Sequence, residues 1–320
     1  MIGLPIFLLL LSSPEFALPQ LSTQRIFALD DSSKAFREND HAGTLEEFKD
    51  SDGILKLKLQ NLELVNKSRV AAGLQPVSFD ILASRVANKH CREMVELGYV
   101  SHWNTRGEKP YHRYARAGGT AAIVENVFSK ITSGKFDVSN ERLCLEFMNA
   151  GHNGFLNEKP PDDYHRRNIL DPNHNAIGIG CYLGAKRFSY AQEFLNHYLQ
   201  VDEFPRHIQA GETITFGGQV LAEKLYPFLL LIYYEPWPEP VSVSYLDSTT
   251  IYPDGTENRY LALFNQFRFD EENRRFEVTA AFTQAKPGWY YVRIYLSRQK
   301  GELYNSEEGF PATGIMIEVR

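Results

Sequence analysis

From Ile54 onward apolar residues recur at helical spacing. Leu55, Leu59, Leu62, Val65 and Val70 fall near i, i+3 and i+4, and Gly73 ends the run, so a helix is expected over 54–73. After the turn Leu74-Gln-Pro-Val, Ser78 or Asp80 can cap a second helix with the stripe Leu82, Val86, Ala87, His90, Met94 and Leu97, stopped by Gly98. A short helix is expected over Tyr111–Ala117, closed by Gly118-Gly119, and another over Ser139–Ala150, closed by Gly151. Two strand-like runs, Ala176–Tyr182 and Arg187–Leu195, flank Leu183-Gly-Ala-Lys as a hairpin. Helices followed by a hairpin predict an α+β or layered α-β-α unit over 54–202.

Beyond Pro205 the period changes. Strand-like runs recur at Thr213–Phe216, Phe228–Tyr234, Val241–Tyr245, Tyr260–Phe264, Phe276–Phe282, Tyr290–Leu296 and Ile315–Val319, separated by turn residues such as Asp254-Gly255 and Lys286-Pro-Gly288. Seven short strands predict an all-β, immunoglobulin-like sandwich over 205–320. Residues 20–53 are polar and aperiodic and read as a linker. Met1–Leu11 is apolar but far shorter than the ~20 residues that span a bilayer. Residues 1–19 are therefore expected to be a signal peptide of a secreted or cell-envelope protein, although no basic residue precedes the run and no Ala-x-Ala site follows it. No later segment reads as transmembrane.

The chain has 320 residues, 43% hydrophobic and 23% charged, with a net charge of −6. That length suits two domains, and an acidic balance without a Lys/Arg block argues against nucleic acid as a partner. Three cysteines are too few for a disulfide scaffold. Cys91, Cys144 and Cys181 read as small apolar core residues, with a Cys91–Cys144 bridge left geometrically open. About half of the aromatic residues lie after Pro205. They read chiefly as strand packing, with Trp237 expected to be exposed.

Seven of the nine histidines lie between His90 and His197. His90 sits on an apolar helical stripe and reads as a core residue. His112, His174 and His197 have no spacing that requires a site. His102 follows a helix stop in Tyr99-Val-Ser-His, His165 opens a structured run in Asp162-Asp-Tyr-His, and Glu125 lies between them in Val124-Glu-Asn-Val. Two imidazoles and a carboxylate can hold a divalent metal or perform acid–base work. Spacing alone does not bring them together.

The ordered words are more specific. Asn66-x-x-Arg69, Ala72-Gly-Leu-x-Pro, Ala87-x-x-His-x-x-x-Met94, Tyr99-Val-Ser-His102, Gly107-x-x-Pro110-x-x-Arg113, Ala117-Gly118, Glu125-Asn126, His165-Arg-x-Asn168-Ile-Leu-x-Pro172, Ile177-Gly-Ile-Gly180 and Tyr190-Ala-x-x-Phe194 follow one another. This series resembles the CAP superfamily, also called SCP, which includes cysteine-rich secretory proteins, antigen 5 and pathogenesis-related proteins. It looks like the short bacterial branch and covers roughly residues 55–198. The resemblance implies an α-β-α sandwich with a cleft lined by two His and two Glu, in which the His pair of some members binds Zn²⁺. His102 matches the first His, Glu125 the first Glu and His165 the second His. Glu146 and Glu158 are the candidates for the second Glu. Met148-Asn-Ala-Gly-His152 also resembles the stretch before the second His, so His152 is the alternative to His165. Asn153–Tyr164 reads as a turn-rich insertion between the two halves.

Two functions follow from the resemblance. One is a non-enzymatic binding module whose cleft takes Zn²⁺ at His102 and His165, or a small molecule, lipid, peptide or cell-wall ligand. The alternative is a metal-dependent hydrolase or protease with Glu125 as base. A catalytic zinc normally has three protein ligands, which favours binding.

Overall fold

A computed structural model describes residues 29–249, 251–252, 257–283, 285–301 and 309–320. The expected signal peptide, residues 1–19, lies outside the described residues. The first unit runs α1 (Leu29–His41), α2 (Asp52–Ala71), β1 (Ser78–Phe79), α3 (Ile81–Leu97), α4 (Pro110–Arg116), β2 (Ala122–Ile131), α5 (Arg142–Leu156), α6 (Tyr164–Ile169), β3 (Ala176–Leu183) and β4 (Arg187–Asn196). Its four strands lie in the order β1-β3-β4-β2, with β1 parallel to β3 and the other pairs antiparallel.

Alternation along β3 and β4 sends Ile177, Ile179, Cys181, Phe188, Tyr190 and Phe194 to one face, where they join Leu55, Leu62 and Val65 of α2 and Phe147 and Met148 of α5 in one buried cluster. The other face receives α3. Gly178 and Gly180 make this approach possible, because a Cβ on either would stand 2.4 Å from the backbone carbonyl carbon of Ala83 or Ala87. Gly180→Ala is expected to destabilise the protein by about 1–3 kcal/mol through overpacking, read as a lowered midpoint in urea. A midpoint equal to wild type would show that α3 is free to move away.

The stretch expected to be a linker, 20–53, instead carries α1 and a short 3₁₀ turn at Glu46–Phe48. The segment lacks an apolar period because much of its attachment is polar. Arg85 of α3, almost wholly buried, donates to the carbonyls of Asn39, Ala42 and Thr44 at 2.6, 2.7 and 2.8 Å. Lys58 likewise meets Asp50 at 2.8 Å inside the protein. Helix α5 runs through Gly151, which does not end it. A Cβ there would press on Tyr190 and Phe128 at 2.9–3.0 Å, so this glycine serves close packing. The insertion Asn153–Tyr164 is correspondingly part helix and part loop. All three cysteines are buried free thiols.

The rest of the chain forms β5 (Leu199–Val201), β6 (His207–Ile208), β7 (Thr213–Val220), β8 (Tyr226–Glu235), α7 (Val243–Ser248), β9 (Glu257–Leu263), β10 (Arg268–Asp270), β11 (Arg275–Ala281), β12 (Gly288–Ser297), β13 (Gly309–Pro311) and β14 (Ile315–Val319). One sheet has the order β10-β11-β7-β5. The other is β6-β14-β12-β8-β9 with β13 also on β12, and includes the parallel pair β6–β14. Phe216, Phe276 and Val278 of the first sheet share one apolar cluster with Leu230, Tyr290, Val292, Ile294 and Ile317 of the second. The architecture as a whole is α+β.

Val241–Tyr245, expected to be a strand, enters helix α7. Ser242 caps it by accepting the Tyr245 N–H at 3.2 Å. The apolar residues Val241, Val243 and Leu246 serve a different surface: they pack on Ala87, Cys91, Met94 and Tyr99 of the first unit. Trp237 is 40% exposed.

Candidate functional site

Strand β2 is the edge of the four-stranded sheet, and neighbouring residues on it face opposite ways. Glu125 faces the α3–α4 side. His102, in the loop after α3, brings Nδ1 to 2.9 Å from Glu125 Oε1. Asn126 serves the other side. Its amide donates to the His165 carbonyl at 3.1 Å and its carbonyl accepts from Asn168 at 2.9 Å, fastening α6 to the strand. His165 Nδ1 in turn lies 2.5 Å from Glu158 Oε1, and the other Glu158 oxygen accepts the His165 N–H at 3.0 Å.

The two rings thus reach the β2 edge from opposite faces, with centroids 6.2 Å apart. The His102 and His165 side chains are 12% and 29% exposed. A carboxylate only accepts, so each Nδ1 carries the proton, and in the neutral ring Nε2 holds the lone pair.

Of the two candidates for the second Glu, Glu158 is the one that meets His165, whereas Glu146 is exposed on α5. His152, the alternative second His, is fully buried. Its Nε2 donates to Ser68 Oγ at 2.9 Å, and its Nδ1 accepts from Gln192 at 3.2 Å. Burial pushes its pKa down to about 4. It is a core histidine held neutral. His90, as expected, is also buried, bonded to the Ser101 carbonyl at 2.8 Å.

Behind His102 lies a charge cluster that the sequence order hides. Arg113 of α4 donates to Glu125 Oε2 at 2.5 Å and to the His102 carbonyl at 2.6 Å, so one guanidinium fixes both members of the dyad. Burial alone would raise the Glu125 pKa. Arg113 first, then His90 and His102, outweigh burial and hold the carboxylate far below its ordinary range. Glu193 pairs with Glu125 across the β2–β4 ladder and is fully buried, 3.9 Å from Arg113. Burial and the neighbouring Glu125 charge raise its pKa well above that of a free carboxyl, so it is a neutral acid beside an ionised one. The one trace of Glu193 in the sequence is the second unspecified position of Tyr190-Ala-x-x-Phe194. Only strand register shows what it faces.

The second unit also reaches this region. Tyr252 sets its ring edge-on to His102 at 5.2 Å, while Ser101 Oγ and Trp103 Nε1 donate to the Thr249 and Ile251 carbonyls at 2.9 and 3.2 Å. Nearby, Glu235 at the end of β8 meets Lys109 at 3.0 Å, Tyr111 at 2.5 Å and His112 at 2.8 Å. Against the effect of burial, contacts with His112, Lys109 and Tyr111 hold its pKa at about 2.

As a metal centre the pair offers two Nε2 nitrogens, each ring backed by a carboxylate. Among the described residues no group of three or more His, Cys, Asp or Glu is placed to hold an ion. Two imidazoles on one tetrahedral ion, with Zn–N of about 2.0–2.1 Å, have centroids roughly 5 Å apart. These rings would therefore close by about 1 Å on an ion whose remaining positions go to water or ligand. Two nitrogens fall short of the four donors of a closed structural zinc site and would leave positions open on any ion they held.

A family model described as the cysteine-rich secretory protein family, CAP, matches residues 62–198. No curated protein matches the chain. Among solved structures, an extracellular protein containing an SCP domain from Bacillus anthracis is 22% identical, with 43% of this chain and 39% of that one covered and a TM-score of 0.33. This chain thus spans well under half the length of that protein. An outer surface protein of Borrelia burgdorferi is 17% identical over 46% of this chain and 94% of its own, with a TM-score of 0.35. The family match contains His102, Glu125, Glu158 and His165, and it is this match, not the structural likeness, that makes the assignment. Residues 62–198 match the cysteine-rich secretory protein family model and so place this part of the chain in the CAP superfamily.

Proposed function

We propose that this chain is a secreted or cell-envelope CAP-domain protein whose cleft binds a ligand and does not catalyse a reaction. The observation that carries this reading is the apposition of two His–carboxylate pairs, His102–Glu125 and His165–Glu158, with ring centroids 6.2 Å apart. Each ring is oriented by a carboxylate at Nδ1, which leaves Nε2 for a ligand: Zn²⁺ at His102 and His165, or a small-molecule, lipid, peptide or cell-wall ligand. The two β-sheets that follow, which we read as an immunoglobulin-like sandwich, buttress the cleft and support docking. Export is part of this reading and comes from the apolar start of the sequence. Among the described residues no helix is long and apolar enough to cross a membrane.

A hydrolytic role for Glu125 is disfavoured by its surroundings. Both of its oxygens are engaged, by His102 and Arg113, and its pKa is held far from the near-neutral value that suits a general base. Calorimetric titration of Zn²⁺ into wild type and His102→Ala/His165→Ala tests the cleft directly. Binding to wild type and at least tenfold weaker binding to the variant is expected, a difference of ~1.4 kcal/mol or more. Equal affinity would remove the metal from the reading. Turnover of a peptide or ester substrate that Glu125→Gln abolishes would overturn the binding role in favour of hydrolysis.

A further inference from the structure

Between β2 and the loop before β3 on one side, and β12 and β13 on the other, lies a cavity of about 210 Å³. Tyr111, Tyr252, Asp171, His174, Asn196 and Arg293 are among the residues that line it. It is smaller than the ~300–1,000 Å³ of sites for drug-sized ligands, so it suits a single small ring better than an acyl chain or a peptide.

Its polar wall is built and incomplete. His174 is only 5% exposed. Asn196 donates its amide N–H to the Pro311 carbonyl at 2.8 Å, which turns Oδ1 toward His174 Nδ1, also at 2.8 Å. Nδ1 is therefore the protonated nitrogen and Nε2 the acceptor. Among the described residues this buried Nε2 has no hydrogen-bond partner. The nearest carboxylate oxygen, Asp171 Oδ2, is 3.9 Å away and is itself an acceptor. Two acceptors at that distance, with no donor among the described residues between them, call for an O–H or N–H donor from outside.

The wall is also rigid. Buried Arg69 donates to the carbonyls of Ile169, Asp171 and His174 at 2.7, 3.0 and 2.9 Å, fixing the loop that carries both acceptors. The rest of the lining mixes aromatic rings with the aliphatic Ala122, Ile123 and Val124 of β2. Tyr111 and Tyr252 have centroids 6.1 Å apart, and Arg293 lies over the Tyr291 ring at 5.0 Å.

Aromatic faces, fixed acceptors and a guanidinium around a one-ring volume match a molecule with apolar C–H faces and a rim of hydroxyls. We infer that this cavity binds a single sugar ring, with one hydroxyl donating to His174 Nε2 and the ring packed on Tyr252, which is itself backed by the buried Tyr111. The site needs residues of both sheet systems and is separate from the His102–His165 cleft, although Tyr252 borders both.

The test is saturation-transfer NMR on the full chain with methyl β-glucopyranoside at millimolar concentration. The wild type should show transfer to the sugar ring protons. Tyr252→Ala should bind about tenfold more weakly with an unchanged urea midpoint, and His102→Ala/His165→Ala should bind as wild type does. Absence of transfer in the wild type would overturn the inference, and so would equal transfer in Tyr252→Ala. Loss of transfer only in His102→Ala/His165→Ala would place sugar in the cleft and overturn it as well. Because the zinc titration reads the cleft alone, failure of either proposal leaves the other standing.

Discussion

Replacing Arg113 with methionine is expected to remove about 3–5 kcal/mol of folding stability, the usual result of taking one partner from a buried ion pair. The residue is only 7% exposed. Without it, the Glu125 carboxylate would stand buried beside Glu193 with no fixed positive charge against it, and the His102 loop would lose its carbonyl anchor. Glu125 would then take up a proton or draw water into the sheet edge. The measurement is the urea midpoint at neutral pH, compared with Arg113→Met/Glu125→Gln. The double variant should be clearly more stable than the single one, because the uncompensated charge is gone. A loss below ~1 kcal/mol in Arg113→Met would mean that the cluster does not depend on this guanidinium.

The second large effect concerns pH and His152. The folded protein holds this ring neutral, with a pKa of about 4, whereas the unfolded chain titrates it near 6.5. As pH falls below about 6.5 the unfolded state gains a proton that the folded state refuses, so stability is full above that pH and is lost toward pH 4. Below about 4 both states are protonated and the loss stops. The shift corresponds to about 3 kcal/mol.

The geometry explains the refusal. Gln192 directs its amide N–H at His152 Nδ1, and its Oε1 is held by Asn126 at 3.1 Å, so a proton on Nδ1 would face a donor. Glu193 works in the opposite sense. Its raised folded pKa removes stability as pH rises above the ordinary carboxyl range, so the pH profile of the wild type mixes the two. The clean quantity is the difference between wild type and His152→Gln. Between pH 7 and pH 4 wild type should lose about 3 kcal/mol relative to the variant. A difference independent of pH would show that His152 is not the group responsible.

The sequence reveals those parts of this protein that rest on apolar periodicity. The stripes of α2 and α3 and the alternating strands β3, β4 and β12 are visible because each buries one side against a continuous core. Helix α1 is not visible, since much of its attachment runs from Arg85 to main-chain carbonyls and leaves no hydrophobic period. Helix α7 is misread because three apolar residues at alternating and adjacent positions suit a strand as well as a single helical turn.

The candidate site divides in the same way. His102, Glu125 and His165 stand in recognisable words, whereas Glu158 lies in an insertion where only the three-dimensional return of α6 shows which carboxylate the ring meets. Glu193 and Tyr252 depend wholly on strand register and on the second unit folding back, and no local pattern encodes either.

The segment that holds α7 has a consequence for how this molecule can be divided. By chain order it belongs to the C-terminal sheets, yet Leu246 is wholly buried in a cluster of α3 side chains, and Val241 donates its N–H to the Thr105 carbonyl at 3.0 Å. A fragment ending near residue 202 would expose Cys91, Met94 and Tyr99 to water and leave the edge of His102 unguarded. The CAP fold here is consequently not a detachable cassette. Swapping it onto another scaffold means carrying its clasp along with it.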